Sequence, residues 1–144
     1  ASWQECLDCN DAFNTAIDRP KISSLCEMAY HRIEYCGKST VDEKSVNFIF
    51  EDYYSSLLEL LHALILLNGY KVNNHVCVGY YLRDVLKRAD LYRHFDDCRF
   101  KRNSITYYGK PMEFEVAKDS IQKCILLIHE IEKILEHDPG QNRL

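Results

Sequence analysis

Apolar residues recur along most of this chain at steps of three and four, the period of one face of an α-helix. Ile22, Leu25, Cys26, Ala29, Ile33 and Cys36 form one such run, opened by Asp18-Arg19-Pro20 and stopped near Gly37. Proline in a first turn and glycine past a last one are the expected punctuation. The next run is the longest. Val46, Phe50, Tyr53, Leu57, Leu60, Leu64 and Leu67 make one stripe, and Tyr54, Leu58, Leu61 and Ile65 lie beside it. The pattern predicts a helix over roughly 41–68, opened by a Thr40/Glu43 capping box and closed by Gly69. A helix apolar around that much of its girth belongs at the centre of a bundle.

A third helix is expected over 75–88, capped by Asn73 or Asn74, with Val78, Leu82 and Val85 inward. A fourth is expected over 91–108, with Asp90 capping or kinking its entry and Gly109 and Pro111 ending it. The last, over 114–136, sets Ala117, Ile121, Cys124, Ile128, Ile131 and Leu135 on one face. A short N-terminal helix from Trp3 to about Thr15 and a fraying tail from His137 to Leu144 complete the reading, which contains no strand. Short connections between long amphipathic helices predict antiparallel neighbours. The expected fold is therefore all-α, a single domain over 1–144. It is an up-and-down bundle of four main helices with one or two short ones.

Composition adjusts this picture in three places. A chain of 144 residues, 47% of them hydrophobic, can bury one real core. A net charge of −4 supplies no bulk basic field, so any nucleic-acid contact must be a local patch. No apolar run is long enough to span a bilayer, because the best one, Leu57 to Leu67, is broken by Glu59 and His62. The seven cysteines are odd in number and scattered, several on apolar stripes, which reads as free thiols in a reducing cytoplasm. Cys6-Leu7-Asp8-Cys9 has half the spacing of a zinc site, with no second half to complete it. Glu59-Leu60-Leu61-His62 has the spacing of a di-iron motif without its counterpart on the last helix. No metal and no cofactor are expected. There is no glycine-rich phosphate loop, no nucleophile elbow and no zinc-protease helix.

The candidate chemistry lies in Arg99 to Gly109, RFKRNSITYYG. Leu91, Phe95, Cys98, Arg102 and Ile105 follow one another on one stripe, so Arg102 stands where a core residue should be. It must be paired, or face a cleft or an interface. Arg99, Asn103 and Tyr107 run beside it, and with Tyr108 they form a polar patch whose donors suit a phosphate or a carboxylate. The structural alternative pairs Arg102 with Glu51 or Asp52. On an ideal straight helix Arg102 and Tyr107 point about 140° apart. Two copies of this helix across a two-fold axis would bring the arginine of one towards the tyrosine of the other.

At these residues the chain resembles the HEPN superfamily (higher eukaryotes and prokaryotes nucleotide-binding domain). The resemblance runs from EDYYSSLLELLHALILLNGYK, through Asn73-Asn74-His75, to RFKRNSITYYG. The family's mark is an arginine, often followed by a polar residue, with a histidine four to six residues on. Arg102-Asn103 matches the first half, and Tyr107 or Tyr108 fills the histidine position. The resemblance implies a helical homodimer with the motif helices facing each other. It also implies a metal-independent endoribonuclease, or a non-catalytic module binding RNA or a nucleotide, often paired with a nucleotidyltransferase as in toxin–antitoxin systems. In nuclease members the arginine is thought to hold the scissile phosphate and the histidine to move the proton. Arg102 keeps the first role. Tyr107 is a poor base, because a free phenol titrates near pH ~10. The expectation is a dimeric phosphate-binding module using Arg99, Arg102, Asn103, Tyr107 and Tyr108. Three alternatives stand beside it: an active ribonuclease toxin whose catalytic groups are Arg102 and Tyr107; the same toxin with a histidine such as His62 or His75 moving the proton; and a structural partner of a nucleotidyltransferase, with a tyrosine near the motif as a modification target.

Overall fold

The computed structural model describes residues 1–137. Its helices are α1 (Trp3–Asp8), α2 (Arg19–Lys38), α3 (Val46–Leu67), α4 (His75–Tyr80), α5 (Ala89–Tyr108) and α6 (Phe114–His137). The four long ones, α2, α3, α5 and α6, form the expected all-α bundle. The tail expected to fray lies outside the described residues beyond His137, which ends α6. Among the described residues no helix is long and apolar enough to cross a membrane.

α3 is the axis of the fold, as its double stripe predicts. Phe50, Tyr54, Leu57, Leu60 and Leu64 are fully buried. It packs most extensively against α2 and α6, and α5 lies against both α3 and α6. Removing a residue such as Leu60 from water is worth ~2 kcal/mol, and this stripe is the main source of cohesion. Its start differs from expectation. Thr40 and Glu43 make no capping box. Instead Asp42 accepts the N–H groups of Lys44 and Ser45 at 2.9 and 2.8 Å, while Ser45 Oγ accepts the N–H of Asp42 at 2.9 Å. Residues 43–45 become a turn, and the helix starts at Val46.

The N-terminal reading needs a larger correction. The first helix ends at Asp8, and Asn10 turns the chain through a positive φ of 62°. Residues Ala12–Asn14 form a strand, β1, which pairs antiparallel with β2 (Tyr70–Val72). Three residues are too few for an alternating pattern to be legible, and the partner is distant in sequence. Trp3 locks this corner by edge-on contacts with Tyr70 and Tyr81, at centroid distances of 5.5 and 5.1 Å. Cys6 in α1 forms a disulfide with Cys77 in α4. That bridge takes Cys6 out of the Cys6/Cys9 pair, whose spacing alone had suggested half a zinc site. It counts against reading all seven cysteines as free thiols in a reducing compartment, since disulfides persist mainly in oxidising surroundings, whereas Cys26, Cys98 and Cys124, the ones on apolar stripes, are free as expected.

The helix expected over 75–88 is cut short. Asn74 caps α4 by accepting the N–H of Cys77 at 2.9 Å. After Tyr80 the backbone widens into a π-helical turn over Tyr81–Val85, and Lys87 adopts a positive φ of 58°. Val78 and Leu82 point inward as expected, but the wider turn leaves Val85 exposed. Gly79 lets α4 approach α5 closely. A Cβ there would lie 3.2 Å from the Tyr92 ring and 3.4 Å from Phe95. The same two helices carry the two walls of a cleft.

Candidate functional site

A cleft of about 290 Å³ opens between the turn before α4 and the outer face of α5. Asn73, Asn74, His75 and Val76 form one wall. Arg99, Arg102, Asn103 and Tyr107 form the other. No carboxylate lines it among the described residues.

The first wall is fixed from the N-terminal corner. The Asn73 N–H donates to the Asp11 carbonyl at 2.8 Å, just ahead of β1, and Asn74 spends its side chain capping α4. His75 is placed by α3: its Nδ1 lies 3.3 Å from the hydroxyl of the buried Tyr54. Burial lowers the His75 pKa, and Arg102 and Arg99 lower it further, so the ring is neutral at neutral pH. In the tautomer whose Nδ1–H donates to the Tyr54 oxygen, Nε2 carries the free lone pair. Tyr54 itself stacks on Phe95 at 6.0 Å. Burial raises its phenol well above the ordinary value, with the nearby arginines opposing, so it stays protonated.

The second wall is one face of α5. Arg99 is held by Asp96, with Nη2 and Nε at 2.9 and 3.0 Å from the same carboxylate oxygen. Arg102 is half-buried, and no carboxylate lies within 4.0 Å of it among the described residues. The expected alternative, pairing with Glu51 or Asp52, is not what forms. Asp52 lies 3.9 Å from Arg32, and Glu51 accepts from Thr106 at 3.3 Å. Arg102 instead stands 5.8 Å from the ring centres of both Tyr54 and Tyr107, and its Nη1 donates to the Asn103 side chain at 3.3 Å. A guanidinium held by ring faces and an amide keeps donors unspent, which a phosphate can take up in a forked pair.

Although they point about 140° apart on an ideal straight helix, Arg102 and Tyr107 line the same cleft within one chain. The reach of the arginine side chain closes the angular gap. Arg99, Arg102, Asn103 and Tyr107 come together, whereas Tyr108 does not. It faces an adjoining groove with Phe100, Asn103, Ser104 and Lys110, and is 73% exposed.

Outside the cleft, Glu59 and His62 do not act as a unit. Glu59 Oε1 lies 3.2 Å from Arg32 Nε, an ion-pair contact without hydrogen-bond alignment. His62 lines a separate hollow with Lys21 and Lys71. Burial, then His75 and the two lysines, push its pKa down to about 4.

Sequence reasoning named the α5 residues. It named His75 among outside histidines but had no means of putting it beside Arg102, and it gave Asn74 only a capping role. The signal was the Asn-Asn-His run itself, three polar residues before an apolar stripe. No family model, curated protein or solved structure matches the chain, so the reading of the site rests on its own geometry.

Proposed function

We propose that the protein is a HEPN-like module that binds a phosphate group of RNA or of a nucleotide in the cleft between α5 and the Asn73–His75 turn. The observation that carries this reading is the convergence of Arg99 and Arg102 on a cleft without a carboxylate, Arg102 having no acid of its own. A carboxylate-bearing ligand satisfies the same donors less fully than a phosphate, which offers more acceptor oxygens to two guanidinium groups.

The proposal includes a homodimer formed across α5. Phe100, Tyr107 and Tyr108 leave that helix with three aromatic side chains 67–73% exposed, and covering such a surface favours association. The partnership with a nucleotidyltransferase belongs to the same proposal; Tyr107 and Tyr108 are open to modification only in the single chain, where they are exposed, and not once a dimer covers them.

A second reading, metal-independent cleavage of RNA, is favoured by one observation. His75 is a neutral imidazole in the same cleft as Arg102, and so supplies the proton acceptor that Tyr107 cannot. Binding of a labelled single-stranded RNA, followed by fluorescence anisotropy and then by gel in the presence of EDTA, tests both. Saturable binding without cleavage supports the binding module. Cleavage lost in His75→Gln and retained in Tyr107→Phe supports the nuclease. Absence of binding by RNA, mononucleotides and inorganic phosphate alike refutes the phosphate reading.

A further inference from the structure

The cysteines form a second cluster, apart from the cleft and independent of its ligand. Cys6 is bonded to Cys77, and both are buried, at 5% and 2% exposure. Cys9 is a free, exposed thiol three residues after Cys6, at the C-terminal cap of α1. Residues three apart on a helical turn share a face, with Cβ atoms about 5–6 Å apart, so a small shift brings them within bridging distance. The Cys9 Sγ lies against the backbone of the same turn, 3.7 Å from the Cys6 carbonyl and 3.2 Å from the Asp11 carboxylate. External thiols are largely excluded from the buried bridge, whereas Cys9 has access to solvent and to the turn that carries Cys6.

We propose that Cys6, Cys9 and Cys77 are a thiol–disulfide exchange site. The Cys9 thiolate attacks Sγ of Cys6, a Cys6–Cys9 bond forms, and the Cys6–Cys77 bond breaks. The electron pair leaves on the Cys77 sulfur, which takes up a proton from solvent in place of the one Cys9 released. The step is an isomerisation and needs no oxidant. The new Cys-x-x-Cys bridge lies at the surface, where a dithiol can reduce it in a second exchange. The freed Cys77 remains as a small buried apolar group. Asp11 holds the Cys9 Sγ at 3.2 Å, so the thiol leaves this contact before it reaches Cys6. The exchange matters to the cleft because Cys77 lies two residues beyond His75. In the bridged form the start of α4 is tied covalently to α1, and afterwards it is not.

The test is timed reduction of the folded protein with dithiothreitol. Samples are quenched in acid, then unfolded, alkylated and peptide-mapped. The Cys77 thiol is expected to appear about tenfold or more faster in wild type than in Cys9→Ser, as an intramolecular attacker outpaces a bulk one. A Cys6–Cys9 peptide is expected as the intermediate. Cys9 is exposed, so the serine variant retains the fold and the Cys6–Cys77 bridge. Equal rates within about twofold in wild type and Cys9→Ser overturn the proposal. So does the absence of a Cys6–Cys9 peptide at every time point.

Discussion

Replacing Arg102 with alanine separates its two roles, as a phosphate donor and as a packed side chain. In the free protein the guanidinium meets two rings at 5.8 Å and one amide oxygen at 3.3 Å. Half-exposed cation–π contacts are worth ~0.5–1 kcal/mol each and a neutral-acceptor hydrogen bond ~1 kcal/mol. The expected loss of stability is therefore about 1–2 kcal/mol, because water replaces part of each contact. For a domain of this size that lowers Tm by roughly 3–6 °C. A forked, charge-assisted contact to phosphate is worth ~1.5–3 kcal/mol, so affinity should fall about 10- to 150-fold. Salt dependence gives a third readout. Two arginines neutralising a single strand give a slope of log K against log salt near about −1.4, and losing one should reduce it by about 0.7. The assays are thermal unfolding by circular dichroism and anisotropy of a labelled RNA across a salt series. Arg102→Lys should keep the salt slope yet recover little affinity, because an ammonium does not fork. An unchanged affinity and slope in Arg102→Ala would falsify the phosphate role. A stability loss of about 5 kcal/mol or more would instead identify Arg102 as a buried structural lock.

Reduction of the Cys6–Cys77 bridge, which spans 71 residues of sequence, should cost about 4 kcal/mol from restored freedom of the unfolded chain. Guanidinium titrations with and without dithiothreitol, read by Trp3 fluorescence, measure it, and a change below about 1 kcal/mol would contradict the chain-entropy argument. His62, with its pKa pushed down to about 4, stays neutral in the folded state while the unfolded state protonates near pH ~6.5. Its contribution is thus present above pH ~6.5 and lost as pH falls towards about 4, amounting to about 2–3 kcal/mol. His62→Gln should flatten the stability profile in that window, and a profile superimposable on wild type would contradict the assignment. Asn47 accepts the N–H of Met112 at 2.9 Å and donates to its carbonyl at 3.1 Å, clamping the α5–α6 connection to α3. Asn47→Ala should cost about 2–3 kcal/mol in urea unfolding, because it leaves both backbone groups short of a partner. Gly79→Ala, which places a methyl 3.2 Å from the Tyr92 ring, should destabilise by about 1–3 kcal/mol and weaken phosphate binding by parting the cleft walls, with loss of both effects in Gly79→Ala/Tyr92→Ala.

The order of the long helices, and their extent apart from the start of α3, were legible in the sequence because a helix buries residues by a local rule. Period, caps and breakers act within a few positions, so the double stripe of α3 and the single stripe of α6 specify bundle and axis together. The anomaly of Arg102 was legible for the same reason, as one charged residue out of place on an apolar stripe. What joins distant positions was not. The β1–β2 pairing, the Cys6–Cys77 bridge and the nearness of His75 to Arg102 depend on how packed helices bring separate turns together, and no local period records that. The partner of Arg102 shows the difference most clearly. Sequence spacing offers Glu51 and Asp52 as equal candidates, yet α2 approaches α3 closely enough for Arg32 to engage Asp52. Glu51 meanwhile accepts from Thr106 of α5 itself, so tertiary packing engages both acids elsewhere, and the polar patch bearing Arg102 becomes one wall of a cleft.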